Sequence, residues 1–407
     1  MKLTAPNGPL LGEVRLPISK SIANRKLIIS ALAGKELKLP GTLPEDVRVL
    51  QNALASDSTE VNIGMAGTAM RFLTAYYSVQ EGKEIVLTGD ERMQQRPIRE
   101  LVNALNQLGA NISYLETEGY PPLKIRGKKL IGGNVIIPAS VSSQFISAMM
   151  LIAPSMQNGL EVKLSGKILS RPYLELTADC MRQCGINIKF EKDAISIKNG
   201  KYQILTTEIE TDWSSASYFY AMAAAKPNSK LLLNGLNLES PQGDSILSSW
   251  FENLGVSSIQ KESGVEIFSN GIIDFPKEMD FTDNPDLAQT VAFLAAALGK
   301  EVELTGLSNL RIKETDRIAA LQSELKKLGL NISVSENSLQ IKGAISVENA
   351  TIRTYNDHRM AMSAAIVSFH VGAYGNTPTV EIKNPNVVAK SFPDFWKELI
   401  GIGYSAK

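Results

Sequence analysis

One kind of segment occurs six times along the 407 residues of this chain. Each copy begins with a short polar or glycine-containing stretch and continues into an alanine- and methionine-rich run, which is typical of a buried helix. The copies read SKSIANRKLIISALA from Ser19, GMAGTAMRFLTAYYS from Gly64, SVSSQFISAMMLIAP from Ser140, DWSSASYFYAMAAA from Asp212, PDLAQTVAFLAAAL from Pro285 and NDHRMAMSAAIVS from Asn356. Anchored on Lys20, Gly67, Ser142, Ser214, Asp286 and Asp357, their spacings are 47, 75, 72, 72 and 71 residues. So regular a period predicts one supersecondary unit copied along the chain.

The start of each copy also predicts chemistry. Ser, Thr, Asp or Gly opens every one of the six predicted helices. The first N–H groups of a helix lack partners within the helix, and the positive end of the helix dipole lies there. The repeat therefore supplies six candidate anion sites.

A second repeat lies between these segments. Amphipathic stretches end in an apolar-glycine step, which is a common left-handed helix stop, at Leu108-Gly109, Cys184-Gly185, Leu254-Gly255, Leu328-Gly329 and Ile402-Gly403. Strand-like runs follow the first four glycines, reading NISYLE, INIKFE, VSSIQK and LNISVS. Each unit thus reads as strand, helix, strand, helix and a strand pair. The first unit is about 25 residues shorter, with room for the helix PEDVRVLQNALAS but not for a strand pair.

The repeat also predicts the domains. Three units on each side of a midpoint divide this α/β chain near residues 207–213, and the first strand, before Pro17, crosses to the second half. We therefore expect one domain from residues 1–17 and 212–407 and another from residues 18–211.

Composition excludes several classes of function. Lys plus Arg and Asp plus Glu number 42 each, and this balance argues against a nucleic-acid partner. No apolar run reaches 18 residues and the N-terminus lacks a signal-peptide core, so we expect no membrane association and a cytoplasmic location. Cys180 and Cys184 fit small apolar residues of a reducing compartment better than a disulfide. Two histidines without a Cys/His cluster predict no bound metal.

Two charged segments stand out in the second half. In LRIKETDR, residues 310–317, Lys313 and Arg317 are four apart, so we expect them on one helix face with Glu314 beside them. The alternative is a solvated first turn with ordinary ion pairs. In TYNDHRM, residues 354–360, His358 and Arg359 precede an apolar helix, which favours ligand groups at its exposed mouth over a cap with surface charges. His370 is assigned a structural role.

The first half carries its own polar helix starts. Lys20, Ser21 and Arg25 of SKSIANR combine a hydroxyl, an ammonium, N–H groups and a guanidinium, as a phosphate site requires, whereas a plain N-cap explains only the serine. Ser142-Ser143-Gln144 is a weaker signal, because serines are common N-caps. Arg96 precedes Pro97 at an expected helix N1 position, and Lys390 precedes a helix.

Together these segments resemble the ordered motifs of the 5-enolpyruvylshikimate-3-phosphate (EPSP) synthase family. The matching motifs run from Leu16 to Phe395 and are LPISKSIANR, MAGTAMR, LTGDERMQQRPI, SVSSQF, SRPY, DWSSASY, NPDLA, RIKETDR, YNDHRMAM and NPNVVAKSFPDF. The resemblance implies the enolpyruvyl transferase fold, an inside-out barrel pair of six βαβαββ units, here with a truncated first unit and an active site in the interdomain cleft.

The resemblance also implies the reaction: transfer of the enolpyruvyl group of phosphoenolpyruvate to the 5-hydroxyl of shikimate 3-phosphate, a step of chorismate and aromatic amino acid biosynthesis that glyphosate inhibits. The matching catalytic residues are Asp286, Glu314 and Lys20. The matching shikimate-3-phosphate residues are Lys20, Ser21, Arg25, Ser142, Ser143, Gln144, Ser170, Tyr173, Asp286, Asn309 and Lys313. The matching phosphoenolpyruvate residues are Lys20, Gly67, Arg96, Gln144, Arg317, Arg359 and Lys390. A monomer without cofactor or metal is implied.

The chain departs from the family pattern near the phosphoenolpyruvate residues. Ile18 stands where the family usually has Gly, Met65 replaces an Asn, and Phe72 replaces a residue that is often Pro. No departure removes a charged site residue.

Two other functions are alternatives for a chain with these motifs. A sister enzyme transfers enolpyruvyl to a UDP-sugar, but it carries a Lys-Asn pair in its N-terminal motif and a reactive loop cysteine, which this chain lacks. The other alternative is a non-catalytic anion-binding protein of the same fold. Lys20, Asp286, Glu314 and Arg359 argue against it, because a binding protein needs no carboxylate pair among cations.

Overall fold

The computed structural model describes residues 1–140, 142–203, 208–369 and 379–407; His370 lies outside them. Contacts between Cα atoms divide the chain into two compact units. The first unit comprises Met1–Ser19 and Glu210–Lys407, and the second comprises Lys20–Ile209.

The described residues contain twenty strands. They are β1 (Lys2–Thr4), β2 (Leu11–Arg15), β3 (Glu60–Asn62), β4 (Glu84–Thr88), β5 (Asn111–Tyr114), β6 (Leu123–Arg126), β7 (Gly133–Pro138), β8 (Leu160–Ser165), β9 (Ile188–Phe190), β10 (Ala194–Ile197), β11 (Lys230–Asn234), β12 (Val256–Lys261), β13 (Gly264–Ser269), β14 (Glu278–Asp280), β15 (Val302–Thr305), β16 (Asn331–Val334), β17 (Leu339–Lys342), β18 (Asn349–Ile352), β19 (Thr379–Ile382) and β20 (Ser405–Ala406).

The same residues contain thirteen α helices. They are α1 (Lys20–Leu32), α2 (Glu45–Ala55), α3 (Gly67–Ser78), α4 (Glu91–Gln94), α5 (Arg99–Gln107), α6 (Ser143–Ile152), α7 (Arg171–Arg182), α8 (Trp213–Ala225), α9 (Leu247–Asn253), α10 (Ala288–Leu298), α11 (Arg317–Lys327), α12 (His358–Ala364) and α13 (Phe395–Gly401). None of these described helices combines the length and apolar character needed to span a membrane.

The six repeated segments form the helices α1, α3, α6, α8, α10 and α12. Their residues are largely buried, as an apolar surface on every side requires. In the first unit, hydroxyl groups connect three of these helices: the Thr290 hydroxyl lies 3.0 Å from that of Ser217 and 3.5 Å from that of Ser363. Each pair is 73 residues apart, so the contacts repeat with the period of the sequence.

The strands form five four-stranded sheets in the described part of the chain. The second unit contains the orders β3-β4-β6-β5 and β7-β8-β10-β9, each with one parallel pair followed by antiparallel pairs. Helices α1 and α2 precede them without a sheet of their own. The first repeat is therefore truncated, as its short spacing predicts.

The N-terminal residues complete two sheets of the first unit. Strand β2 pairs in parallel with β11 in the sheet β12-β13-β11-β2. It takes the same place as β14, which pairs in parallel with β15 in the sheet β14-β15-β17-β16. Strand β1 lies between β19 and β20 and is antiparallel to both. These pairings satisfy backbone groups that would otherwise form open sheet edges.

The glycines that end the amphipathic stretches all have positive φ, from 77° at Gly255 to 105° at Gly403. At Gly255 an added Cβ would lie 2.4 Å from the carbonyl oxygen of Ile272. The stop signals in the sequence therefore mark real turns, where glycine is favoured by conformation and, at Gly255, also required by space.

Two predicted helix positions are wrong. Lys313 has extended φ and ψ of −82° and −156° and precedes α11, so it shares no helix face with Arg317. Helix α11 begins only after Asp316, because the Asp316 carboxylate caps it by accepting the Ala319 N–H at 3.0 Å. Pro97 likewise precedes the N-cap residue Ile98 of α5 and is not its first helical residue.

Candidate active site

The guanidinium of Arg317, at the first residue of α11, is surrounded by three carboxylates. Its Nε donates to Asp357 Oδ2 at 2.7 Å, Nη1 to Asp286 Oδ1 at 3.0 Å and Nη2 to Glu314 Oε2 at 2.8 Å. Burial alone would lower the pKa of Arg317, but Asp357, Glu314 and Asp286 outweigh it and raise that pKa. The guanidinium is thus a permanent charge that fixes three acidic side chains.

Asp286 lies between several cations. Besides Arg317, it accepts Arg359 Nη2 at 2.8 Å, and its Oδ1 lies 4.0 Å from Lys313 Nζ. Burial would raise the pKa of Asp286, but Arg359, Lys313 and Arg317 together depress it well below its usual value. Asp286 is therefore a partly buried, ionised carboxylate whose basicity depends on how strongly these cations are neutralised.

Arg359 and His358 open helix α12, which Asp357 caps by accepting the Arg359 N–H at 2.8 Å. The sequence predicts an exposed mouth at this point, and that prediction is wrong: both side chains are buried. The Arg359 guanidinium turns toward the 3₁₀ turn Pro285–Leu287, just before α10, where it also donates to the Asp286 carbonyl at 3.3 Å. Attraction to this partly buried carboxylate outweighs the hydration of the guanidinium.

Two further predicted residues lie on short 3₁₀ turns of the same unit. Lys390 ends the turn Pro385–Lys390, and its ammonium donates to the Asn356 carbonyl at 2.8 Å. Asn309 lies in the turn Ser308–Ile312, just before Lys313 and Glu314. Lys390 is thus connected through residue 356 to Asp357 and the Arg317 cluster.

Asp244 is a residue that sequence reasoning missed. This buried carboxyl accepts the Ser214 hydroxyl and, at 3.1 Å, the Asn284 amide. Burial and then the nearby charge of Asp286 raise the pKa of Asp244 to about 6. The only sequence signal was its place in PQGD, 30 residues after Ser214, which no spacing rule singles out.

In the second unit, Lys20 is the first residue of α1, and its ammonium donates to Asp46 of α2 at 2.8 Å. Ser21 follows Lys20, and its carbonyl accepts Arg25 Nη1 at 2.8 Å. The buried Arg25 also donates to Thr177 Oγ1 at 2.7 Å and to the Tyr173 carbonyl at 3.0 Å. Arg25 therefore joins α1 to α7 as well as adding positive charge.

The N-terminus of α3 lies against a guanidinium. A Cβ added to Gly67 would lie 2.5 Å from Arg96 Nη1, so the two groups are in close contact. A cation beside the positive end of a helix is unfavourable unless an anion joins them, so this point is a candidate anion site. Arg71, which the sequence analysis did not single out, donates to the carbonyls of Gly67 and Pro97, both at 3.2 Å, and so fixes both segments.

The remaining predicted residues open helices α6 and α7. Ser142 caps α6 by accepting the Gln144 N–H at 3.3 Å, and the Gln144 amide donates to Thr68 of α3 at 3.2 Å. Ser143 is the first residue of α6. Ser170 adopts a left-handed φ of 55°, and its carbonyl accepts the Tyr173 N–H at 3.1 Å. These contacts place Gln144 beside the start of α3, next to Gly67.

Comparisons with known proteins identify the class. The family model for EPSP synthase (3-phosphoshikimate 1-carboxyvinyltransferase) matches residues 44–399. The chain is 43% identical over 411 residues to a 3-phosphoshikimate 1-carboxyvinyltransferase of Bacteroides fragilis, covering 100% of this chain and 98% of that protein. An enzyme of the same name from Colwellia psychrerythraea is 36% identical over 424 residues, covering 97% of each chain. The chain belongs to the EPSP synthase family.

Solved structures agree on the fold. An EPSP synthase from Acinetobacter baumannii superimposes with a TM-score of 0.75 at 22% identity, covering 100% of this chain and 99% of that one. The enolpyruvyl transferase NikO from Streptomyces tendae gives a TM-score of 0.70 at 12% identity, covering 99% and 97%. The expected enolpyruvyl transferase fold is confirmed.

Proposed function

We propose that this enzyme transfers the enolpyruvyl group of phosphoenolpyruvate to the 5-hydroxyl of shikimate 3-phosphate, releasing phosphate, with Asp286 and Glu314 as its acid/base pair. Membership of the EPSP synthase family supports the reaction. The observation that carries the residue assignment is the arrangement at Arg317, which binds both carboxylates within 3.0 Å. Two carboxylates fixed by one guanidinium suit proton transfers on opposite sides of a reacting carbon.

Charge supports two anionic substrates. Each phosphate ester carries about −1.5 to −2 and each carboxylate −1, so the pair carries roughly −5 to −6. The proposed cations are Lys20, Arg25, Arg96, Lys313, Arg317, Arg359 and Lys390. With Asp286 and Glu314 ionised, these groups nearly neutralise both substrates. Although the chain has zero formal net charge, seven of the assigned site residues are cations and two are carboxylates.

The reaction is an addition followed by an elimination. Carbon 3 of phosphoenolpyruvate takes a proton as the 5-hydroxyl oxygen, losing its proton, adds to carbon 2. The tetrahedral intermediate then loses a proton from carbon 3 and expels phosphate, which restores the double bond. We assign Asp286 to the hydroxyl and Glu314 to carbon 3, with Lys20 as a proton partner. Substrate anions that neutralise Arg359 and Lys313 raise the pKa of Asp286 from its depressed value, so binding itself activates the base.

The binding residues divide by substrate. Shikimate 3-phosphate is assigned to Lys20, Ser21, Arg25, Ser142, Ser143, Gln144, Ser170, Tyr173, Asp286, Asn309 and Lys313. Phosphoenolpyruvate is assigned to Lys20, Gly67, Arg96, Gln144, Arg317, Arg359 and Lys390. Each set contains residues of the first unit and residues of the second. The proposal includes a monomer that acts in the cytoplasm without a cofactor.

Phosphate release tests the function. The purified enzyme is incubated with phosphoenolpyruvate and one of three acceptors: shikimate 3-phosphate, shikimate or a UDP-sugar. We expect release with shikimate 3-phosphate and little with the other two. Release with the UDP-sugar alone would favour the sister reaction, and release with none would leave an anion-binding protein.

A further inference from the structure

Residues 353–357 connect strand β18 to helix α12 and contain two consecutive left-handed residues. Tyr355 has a φ of 53° and Asn356 a φ of 55°. Residues with a Cβ rarely adopt this conformation, and they retain it only where surrounding contacts fix the backbone. The next residue, Asp357, caps the helix that carries Arg359, so the shape of this turn determines where the cap lies.

Glu324 of α11 provides the surrounding contacts. Its carboxylate is fully buried and accepts the Tyr355 hydroxyl at 2.5 Å and the Arg353 N–H at 3.2 Å. Lys327 donates to the same carboxylate at 2.6 Å and compensates its charge. A buried carboxylate with donors on both oxygens is a strong and directional acceptor, so it specifies the position of the turn.

Helix α11 therefore binds this turn at two points. Its first residue, Arg317, donates to Asp357, and Glu324, seven residues later, accepts from Tyr355. Seven residues make about two helical turns, so both side chains lie on the same face of α11. The position of the turn relative to Arg317 is thus set by the rigid helix backbone.

The same turn positions Lys390. The Asn356 carbonyl accepts the Lys390 ammonium at 2.8 Å, and Asn356 Oδ1 accepts the Asn384 amide at 2.8 Å. Asn384 precedes the 3₁₀ turn that ends at Lys390. A shift of the left-handed turn would therefore displace the ammonium together with the cap of α12.

We propose that Glu324 and Tyr355 are positioning residues for the reaction. They act through the turn on three cations assigned to phosphoenolpyruvate, which are Arg317, Arg359 and Lys390. The inference rests on the proposed function, because it takes phosphoenolpyruvate as the anion that these cations bind. Loss of the Glu324–Tyr355 hydrogen bond weakens phosphoenolpyruvate binding and leaves shikimate 3-phosphate binding nearly unchanged.

The test is Tyr355→Phe, which removes one hydroxyl and keeps the ring. We expect KM for phosphoenolpyruvate to rise roughly 10–150-fold, the effect of losing one hydrogen bond to a charged group. KM for shikimate 3-phosphate should stay within about twofold. Tyr220→Phe is the matched control, since the Tyr220 hydroxyl also makes a largely buried bond in the same unit, to Ser258 at 2.8 Å. The control should lower the thermal midpoint without changing either KM.

The KM comparison also separates a structural role from a positioning role. If Tyr355→Phe lowers the thermal midpoint as Tyr220→Phe does and changes neither KM, the proposal is overturned. An equal rise in both KM values also overturns it. If Tyr355→Phe does not fold, the same two KM values and the thermal midpoint are measured for Glu324→Gln, and the same outcomes support or overturn the proposal. A wild-type enzyme that releases phosphate keeps the proposed function in either case, so the two failures are distinguishable.

Discussion

Arg317 and Asp357 form an ion pair that water does not reach. The Arg317 Nε donates to Asp357 Oδ2 at 2.7 Å, and the side chains are 2% and 0% exposed. The pair joins the start of α11 to the start of α12, 40 residues further along the chain. It thereby orients the guanidinium whose other nitrogens bind Asp286 and Glu314.

Asp357→Asn should destabilise the protein and abolish most turnover. The substitution keeps an oxygen to cap α12 but removes the buried charge opposite Arg317, and breaking such a pair costs about 3–5 kcal/mol. Denaturant unfolding gives the free energy change. Asp316→Asn is the matched control, because Asp316 caps α11 but its ion pair with Arg311 is partly exposed, with side chains 37% and 32% accessible. Asp316→Asn should lower the free energy of unfolding by about 1 kcal/mol or less. Equal losses of unfolding free energy in Asp357→Asn and Asp316→Asn would contradict the importance of the buried pair.

Asp286→Asn and Glu314→Gln should each reduce kcat by about 10²–10⁴-fold, the usual contribution of general acid/base catalysis. Shikimate 3-phosphate binding, measured by calorimetry, should change much less, because the surrounding cations remain. Asp283→Asn is a control on the same segment with an exposed side chain, and its kcat should be near that of the wild type. Near-normal turnover in both site variants would show that other groups move the protons.

Gly67→Ala should lower the affinity of the enzyme for phosphoenolpyruvate, and it should lower the affinity for glyphosate more strongly. The added methyl carbon would lie 2.5 Å from Arg96 Nη1, so the guanidinium must move away from the helix start. Overpacking of about 1–3 kcal/mol corresponds to a loss of roughly 5–150-fold in inhibitor affinity. Inhibition curves at matched phosphoenolpyruvate saturation measure it. Gly8→Ala, where nothing lies within 4 Å of the new carbon, should leave the curve unchanged. Unchanged inhibition in Gly67→Ala would contradict the assigned pocket.

Asp244 should give stability a distinct pH dependence. Burial raises the pKa of Asp244 to about 6, above the value of about 3.9 expected in the unfolded chain. Between these values the folded state binds more protons than the unfolded state, so this group's contribution to stability is present at low pH and is lost as pH rises through about 6. Asp244→Asn cannot ionise. Its thermal midpoint minus that of the wild type should therefore increase from about pH 4 to pH 6 and then level off. A difference independent of pH would show that Asp244 does not titrate in this range.

The repeats could be predicted from the sequence, but the hydrogen-bond and ion-pair partners of the site residues could not. The spacing near 72 residues and the glycine stops predicted the buried helices and the short first repeat, because helix periodicity and left-handed turns are local properties. Asp46, Arg71 and Asp244 escaped notice because their importance comes from contacts: Asp46 with Lys20, Arg71 with the carbonyl of Gly67, and Asp244 with Ser214. The predicted start of α11 was wrong for a local reason: Asp316, and not an earlier residue, caps the helix.

The position of β1 affects the order in which the chain folds during synthesis. Residues 2–4 leave the ribosome long before their sheet partners, which are residues 379–382 and 405–406. The unit comprising residues 20–209 is by then fully synthesised. Because domains generally fold as their residues become available, the middle of the chain is expected to fold first, while the N-terminal strand remains an unpaired edge. A nascent chain stalled before residue 379 would thus expose a strand that the finished protein covers on both sides.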